Sequence, residues 1–144
     1  GDWSLVVRDV RAPLAPGDRI PDHVIHTPDG RASRVHDLVD GRFMALYFSD
    51  VRRRPKVPAT TSPALSHWIV SRYDAPLDTG QRPGCLLDPG NAFFRRLGVA
   101  DDTLVLIRPD EHVAAIVPMN GDPEQAARLY EEITGRPLPT GGSA

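Results

Sequence analysis

Cysteine is almost missing from this chain: Cys85 is the only one among 144 residues. A single thiol excludes an internal disulfide, a Cys-x-x-Cys dithiol and a cysteine-built zinc cluster, and it fits a reducing cytoplasm. Lysine is equally scarce. Lys56 stands alone and every other basic side chain is arginine, which with 15 prolines implies GC-rich codons and a bacterial source. No apolar run is long enough to cross a bilayer, and the start carries no signal-peptide pattern. Gly-x-Ser-x-Gly, a Walker loop and Gly-x-Gly-x-x-Gly are all absent, so no acyl, phosphate or dinucleotide site is nominated. A net charge of −2 gives no pull toward nucleic acid or anionic membranes. What remains is an ordinary apolar share of 40%, enough for one domain with a real core.

The stretch 103–118 organises that core. Two runs rich in Val, Ile and Leu flank Pro109 and Asp110, a pair that favours a turn. The reading is a tight antiparallel hairpin, buried on both faces. Ahead of it, residues 3–10 read as an edge strand or linker, and residues 11–21, with three prolines, as an extended connector. The first residue is Gly1, not Met, and strand-like residues begin abruptly at Trp3, so the chain is expected to be a piece of a longer polypeptide, with a processed start as the plainer alternative. Residues 23–27 and 32–35 flank Pro28-Asp29-Gly30 and predict a small hairpin. One helical turn follows over 36–40. Residues 42–48 are a continuous apolar run and the candidate first central strand.

A polar loop over 49–61 then holds Arg52, Arg53, Arg54 and Lys56. Ser62 with Pro63 predicts a helix start, and Leu65, Trp68, Ile69 and Tyr73 fall at helical spacing. Residues 84–87 predict a second strand, parallel to and paired with the first. Asp88-Pro89 opens a helix carrying Phe93, Phe94 and Leu97 and closed by Gly98. After the hairpin, Asp122-Pro123 and Gln125 predict a capped last helix with Ala126, Leu129, Tyr130 and Ile133 as its buried stripe and Gly135 as its stop. The domain is read as 16–136, with 1–15 leading in and 137–144 a disordered tail. The order, a β-hairpin then β-α-β-α-β-β-α, is an α/β mixed sheet flanked by helices and resembles the thioredoxin fold.

Thioredoxin-like enzymes place a thiolate where the first central strand meets the next helix, whose N-terminus lowers the thiol pKa. Here that junction, 49–65, holds no cysteine. A peroxiredoxin-like frame can be laid over Pro58 and Ser62, but its cysteine position is Leu65. A lone buried cysteine such as Cys85 is usually a small apolar filler. His23 and His26 are three apart, which does not align them on a strand, and His36, His67 and His112 are scattered; no metal set emerges. Arg52, Arg53 and Arg54 can hold an anion or an acidic surface, although a solvated loop is the simpler reading. Trp68 suits either an interface anchor or the core. Arg108, Pro109 and Asp110 form the sharpest local motif, and every physical reason makes them a turn. No catalytic, cofactor-binding or metal-ligating residue is assigned.

Residues 16–22 (Pro-Gly-Asp-Arg-Ile-Pro-Asp), then Asp29-Gly30 and Leu38, then 104–114 (Leu-Val-Leu-Ile-Arg-Pro-Asp-Glu-His-Val-Ala) carry a family resemblance. Together they are similar to the C-terminal domain of FAD-dependent aromatic-ring hydroxylases, the class A flavoprotein monooxygenases related to phenol and polyketide hydroxylases. The resemblance implies a redox-silent domain that packs on a catalytic body or makes subunit contacts, including a homodimer. FAD and NAD(P)H would be used by upstream FAD-binding and substrate domains of the same polypeptide, and this fragment would bind neither. The proline-rich insert over 49–61 departs from the family pattern. The alternative is a stand-alone peroxiredoxin-like protein that has lost its cysteine and serves as a binding module.

Overall fold

The structure, a computed structural model, describes residues 13–27, 29–49, 57–58, 62–71 and 84–140. Strands β1 (Val24–His26) and β2 (Ala32–Arg34) form the first hairpin, and α1 (Val35–Val39) follows at once. Next come β3 (Phe43–Ser49), β4 (Leu65–Ser71) and β5 (Cys85–Leu87). A 3-10 turn over Pro89–Asn91 leads into α2 (Ala92–Leu97), then β6 (Thr103–Ile107), β7 (Val113–Pro118) and α3 (Gln125–Thr134). The seven strands make one mixed sheet in the order β2-β1-β5-β4-β3-β6-β7.

β3 lies at the centre because it can be buried on both sides: from Met44 to Ser49 every residue is buried. Its side chains alternate between two cores, as strand geometry requires. Met44, Leu46 and Phe48 face Val105, Ile107, Val70, Leu86, the Val35 and Val39 of α1, and the Phe93, Phe94 and Leu97 of α2. Phe48 meets Phe94 edge-on with centroids 5.0 Å apart and Phe93 at 5.7 Å. Ala45 and Tyr47 face Leu65, Leu104, Leu106 and the Ala126 of α3. β6 runs antiparallel to β3, and β7 antiparallel to β6 with one bulge at Leu106/Ile107 that admits Ala114 as an extra residue.

Two expectations give way here. The stretch predicted as a helix over 62–73 is, as far as it is described, strand β4, parallel to β3 with Leu46 opposite Trp68. The spacing of Leu65, Trp68 and Ile69 fits a helix. It fits equally a strand buried on both faces, with Leu65 and Ile69 on the α3 side and Trp68 and Val70 on the other. β-Branched and aromatic content then favours the strand. Ser62 caps no helix; its hydroxyl accepts the Ala64 amide at 3.1 Å. The strand expected at 84–87 exists but sits one place further out. It pairs parallel with β4, Ile69 opposite Cys85, and not with β3. Gly84 makes that pairing close: a Cβ there would lie 2.8 Å from the His67 carbonyl oxygen.

The local punctuation behaves as turn and cap chemistry dictates. Buried Asp88 accepts the amides of Phe93 at 2.9 Å and Phe94 at 3.0 Å, so it caps α2 across the 3-10 turn. Gly98 and Gly135 end α2 and α3 in left-handed conformations, their amides bonding Phe94 O and Glu131 O. In α3 the buried residues are Ala126, Ala127 and Tyr130, whereas Ile133 is 43% exposed and leaves the expected stripe. The tail expected to be disordered from 137 is placed as far as 140, with Leu138 packed on the α3-side core. The lead-in 3–10, the arginine run 52–54 with Lys56, and Tyr73 lie outside the described residues.

Candidate functional site

The densest polar constellation gathers at the β6–β7 turn. The Arg108 amide donates to His112 O at 2.8 Å and the Glu111 amide to Arg108 O at 2.9 Å, closing the turn around Pro109. Asp110 accepts the His112 amide at 3.1 Å and pairs with the Arg108 guanidinium. Desolvation pushes the Asp110 carboxyl up, but the His112 amide and Arg108 outweigh it and hold the group below its usual range. Arg108 and Asp110 therefore spend their polar groups on each other and on the turn.

Glu111 carries the turn's strain. Its φ is +72°, a left-handed conformation that L residues adopt at a cost. Its carboxylate is held from two sides, by Arg19 at 3.0 Å and by His36 Nδ1 at 2.8 Å. His36 Nε2 faces the Ile20 carbonyl at 2.7 Å, and the His36 amide donates to Asp22, which also pairs with Arg34 at 3.2 Å. Backbone bonds from Ile20 N to Glu111 O and Val113 N to Asp18 O fasten the same connector along the hairpin. His36 and Glu111 lie far apart in the sequence, and the extended connector brings them together.

A second pair lies beneath α3. The Tyr47 hydroxyl and His67 Nδ1 are 2.8 Å apart, with the rings stacked at 5.8 Å. Burial lowers the His67 pKa to about 4. Burial, then the Glu124 carboxylate, pushes the Tyr47 hydroxyl well above its normal range. A neutral imidazole accepting a neutral phenol is a structural bond. Recognising β4 as a strand would have found it, because His67 then alternates onto the α3 face between Leu65 and Ile69.

Cys85 is 6% exposed and sits on β5, opposite Ile69, so the sheet and not a helix N-terminus surrounds it. Trp68 packs half-buried against the α1 and α2 side of the core. An open groove of about 590 Å³ runs along α2 and its exit, lined by Asn91, Phe94, Arg95, Gly98, Val99 and Asp101 among others. Among the described residues no group of three His, Cys, Asp or Glu can hold a metal ion, and no helix is long and apolar enough to cross a membrane.

Comparison with solved structures places this geometry among thioredoxin-like folds. A candidate protein disulfide isomerase from Bacteroides thetaiotaomicron matches at 19% identity and TM-score 0.64, over 85% of this chain and 92% of that one. A thioredoxin-like protein from Porphyromonas gingivalis matches at 15% identity and TM-score 0.60, over 81% and 90%. Aklavinone-11 hydroxylase, solved with FAD and aklavinone, matches at 20% identity and TM-score 0.56, over 84% of this chain but 21% of that one. No curated protein sequence matches the chain. The family described as "Aromatic-ring hydroxylase, C-terminal" matches residues 13–137, which takes in both hairpins, the Glu111 clasp and all three helices. By that match the chain belongs to the aromatic-ring hydroxylase C-terminal family, built on a thioredoxin-like fold.

Proposed function

We propose that this chain is the redox-silent accessory domain of an FAD-dependent, NAD(P)H-using aromatic monooxygenase, and that it serves packing or subunit contacts. The observation that carries the reading is the chemistry of the β3 exit. Where a thioredoxin-like enzyme needs a thiolate, residues 49–65 offer none, and the single thiol stands buried on β5. The junction's last residue, Leu65, is buried at the start of a strand and has no helix dipole behind it.

FAD fits an upstream part of such a polypeptide better than it fits these residues. A flavin cradle needs a glycine-rich strand–turn–helix with free amides, and the sequence contains no such fingerprint. The buried polar atoms left without a partner among the described residues are His26 Nδ1, Arg42 Nε, Trp68 Nε1 and Asn91 Oδ1. They come from four separate segments, and of the four only Asn91 lines the groove along α2. The upstream FAD-binding and substrate domains are then this domain's partners, with homodimerisation a further role for its surface.

Purification decides the matter. The 144-residue chain is expected to be colourless, and a stoichiometric flavin absorbance would overturn the assignment of FAD to other domains. The coding sequence ahead of Gly1 is expected to continue in frame into a Gly-x-Gly-x-x-Gly strand–turn–helix. A start codon at that point would favour the stand-alone protein instead.

A further inference from the structure

We propose that residues 136–140 are a strap that locks the start of β4 against α3 and closes the α3 face of the sheet with the chain's own backbone. Three independent contacts hold it. Leu138 packs against the core of Ala45, Tyr47, Leu65, Leu104, Leu106 and Ala126. Its amide donates to Glu131 Oε2 at 3.2 Å, tying the strap to the last turn of α3. The Ser62 hydroxyl donates to the Pro139 carbonyl, and Ser62 is itself buried.

That last bond reaches across the fold. Ser62 also accepts the Ala64 amide at 3.1 Å, and the Ala64 carbonyl accepts the Phe43 amide at 3.0 Å. One chain of hydrogen bonds therefore runs from the C-terminal segment to the first residues of β4 and β3. Phe43 closes the loop from the other side, meeting Tyr130 of α3 edge-on at 5.0 Å. Val57, in the described part of the β3–β4 connection, packs on the same core.

The sequence supplies the stiffness a strap needs. Pro137 and Pro139 fix φ at alternate positions, and Arg136 and Leu138, each preceding a proline, are pushed toward extended backbone. Little conformational entropy remains to be lost on docking, so a few contacts suffice. The same composition explains why the segment reads as a disordered tail: short, proline-rich and polar at its ends, it has no periodicity of its own.

Backbone hydrogen exchange on the 144-residue chain, compared with a version ending at Arg136, tests the strap. Loss of the strap is expected to speed exchange at the Phe43 and Ser66 amides, which belong to the β3–β4 ladder, at least tenfold and to leave the Phe93 and Phe94 amides, at the far side of the sheet, unchanged. Binding of an apolar dye to the uncovered face should appear alongside. Unchanged protection at Phe43 and Ser66 overturns the proposal, and so does equal acceleration at both places, which would mean general loosening. If the shortened chain does not fold, Leu138→Ser and Ser62→Ala are read by the same comparison.

Discussion

His67 is held neutral in the folded chain because burial penalises its charged form, and the Tyr47 hydroxyl bonds the nitrogen a proton would occupy. The sign of the consequence follows. The folded pKa, about 4, lies below the ordinary 6.5, so between those values the unfolded chain binds the extra proton. Stability contributed by this residue is complete above pH 6.5, falls as the pH drops to about 4, and changes no further below. Allowing for its partial exposure, the loss should be about 2 kcal/mol. His67→Gln keeps an acceptor for Tyr47 but cannot titrate. The difference between the two chains in urea unfolding, measured from pH 7 to pH 4, should shrink by that amount. A difference independent of pH would show that His67 titrates in the fold as it does in the unfolded chain.

At the scale of elements the β6–β7 hairpin shows how a turn becomes a junction. Pro109 and Asp110 shape it locally, as their types demand, while Glu111 occupies a position that glycine fills most cheaply. The strain is tolerated because Arg19 and His36 hold the carboxylate and the connector hydrogen-bonds the backbone. Two substitutions separate these terms. Glu111→Ala keeps the strained φ and loses both partners, and should cost about 1–2 kcal/mol. Glu111→Gly loses the same partners but relaxes the backbone, and should be more stable than the alanine variant by roughly 1 kcal/mol. Equal denaturation midpoints for the two would refute the strain. The hairpin's turn residues were readable in the sequence because they act within five positions. The clasp was not, since His36 and Glu111 are joined only once the connector lies along β7.

The whole molecule is one sheet with a core on each side, and the two cores share β3 and β6. Ala45 and Met44 are neighbours in sequence but face opposite cores, as do Leu104 and Val105. Complete loss of one face would strip the strands that support the other, so global unfolding should be a single cooperative step. Melting curves from far-ultraviolet circular dichroism and from aromatic signals should coincide. Two separated transitions would mean that the faces unfold independently. The sheet's open edges are also guarded. β2 is three residues long, and β7 is covered at its start by Gly17 and Asp18 and ends in Pro118, which has no amide to offer.

The family was legible as a resemblance of short motifs, and the residues themselves set the class of fold, the hairpin of residues 103–118, the Asp88 and Gly98 boundaries of α2 and the Gly135 stop of α3. Each rests on short-range physics: turn residues, caps, left-handed glycines and the alternation or continuity of apolar runs. Only long-range packing made residues 65–71 a strand, set β4 between β3 and β5, left Ile133 outside and seated Leu138 on the α3-side core. The reason is common to all four. A short segment with apolar residues on both faces satisfies helical and strand patterns alike, and a proline-rich tail has no pattern at all. Which state wins depends on partners far along the chain, namely β3 with its seven paired residues and Ser62, whose hydroxyl reaches the Pro139 carbonyl, and no local window contains them.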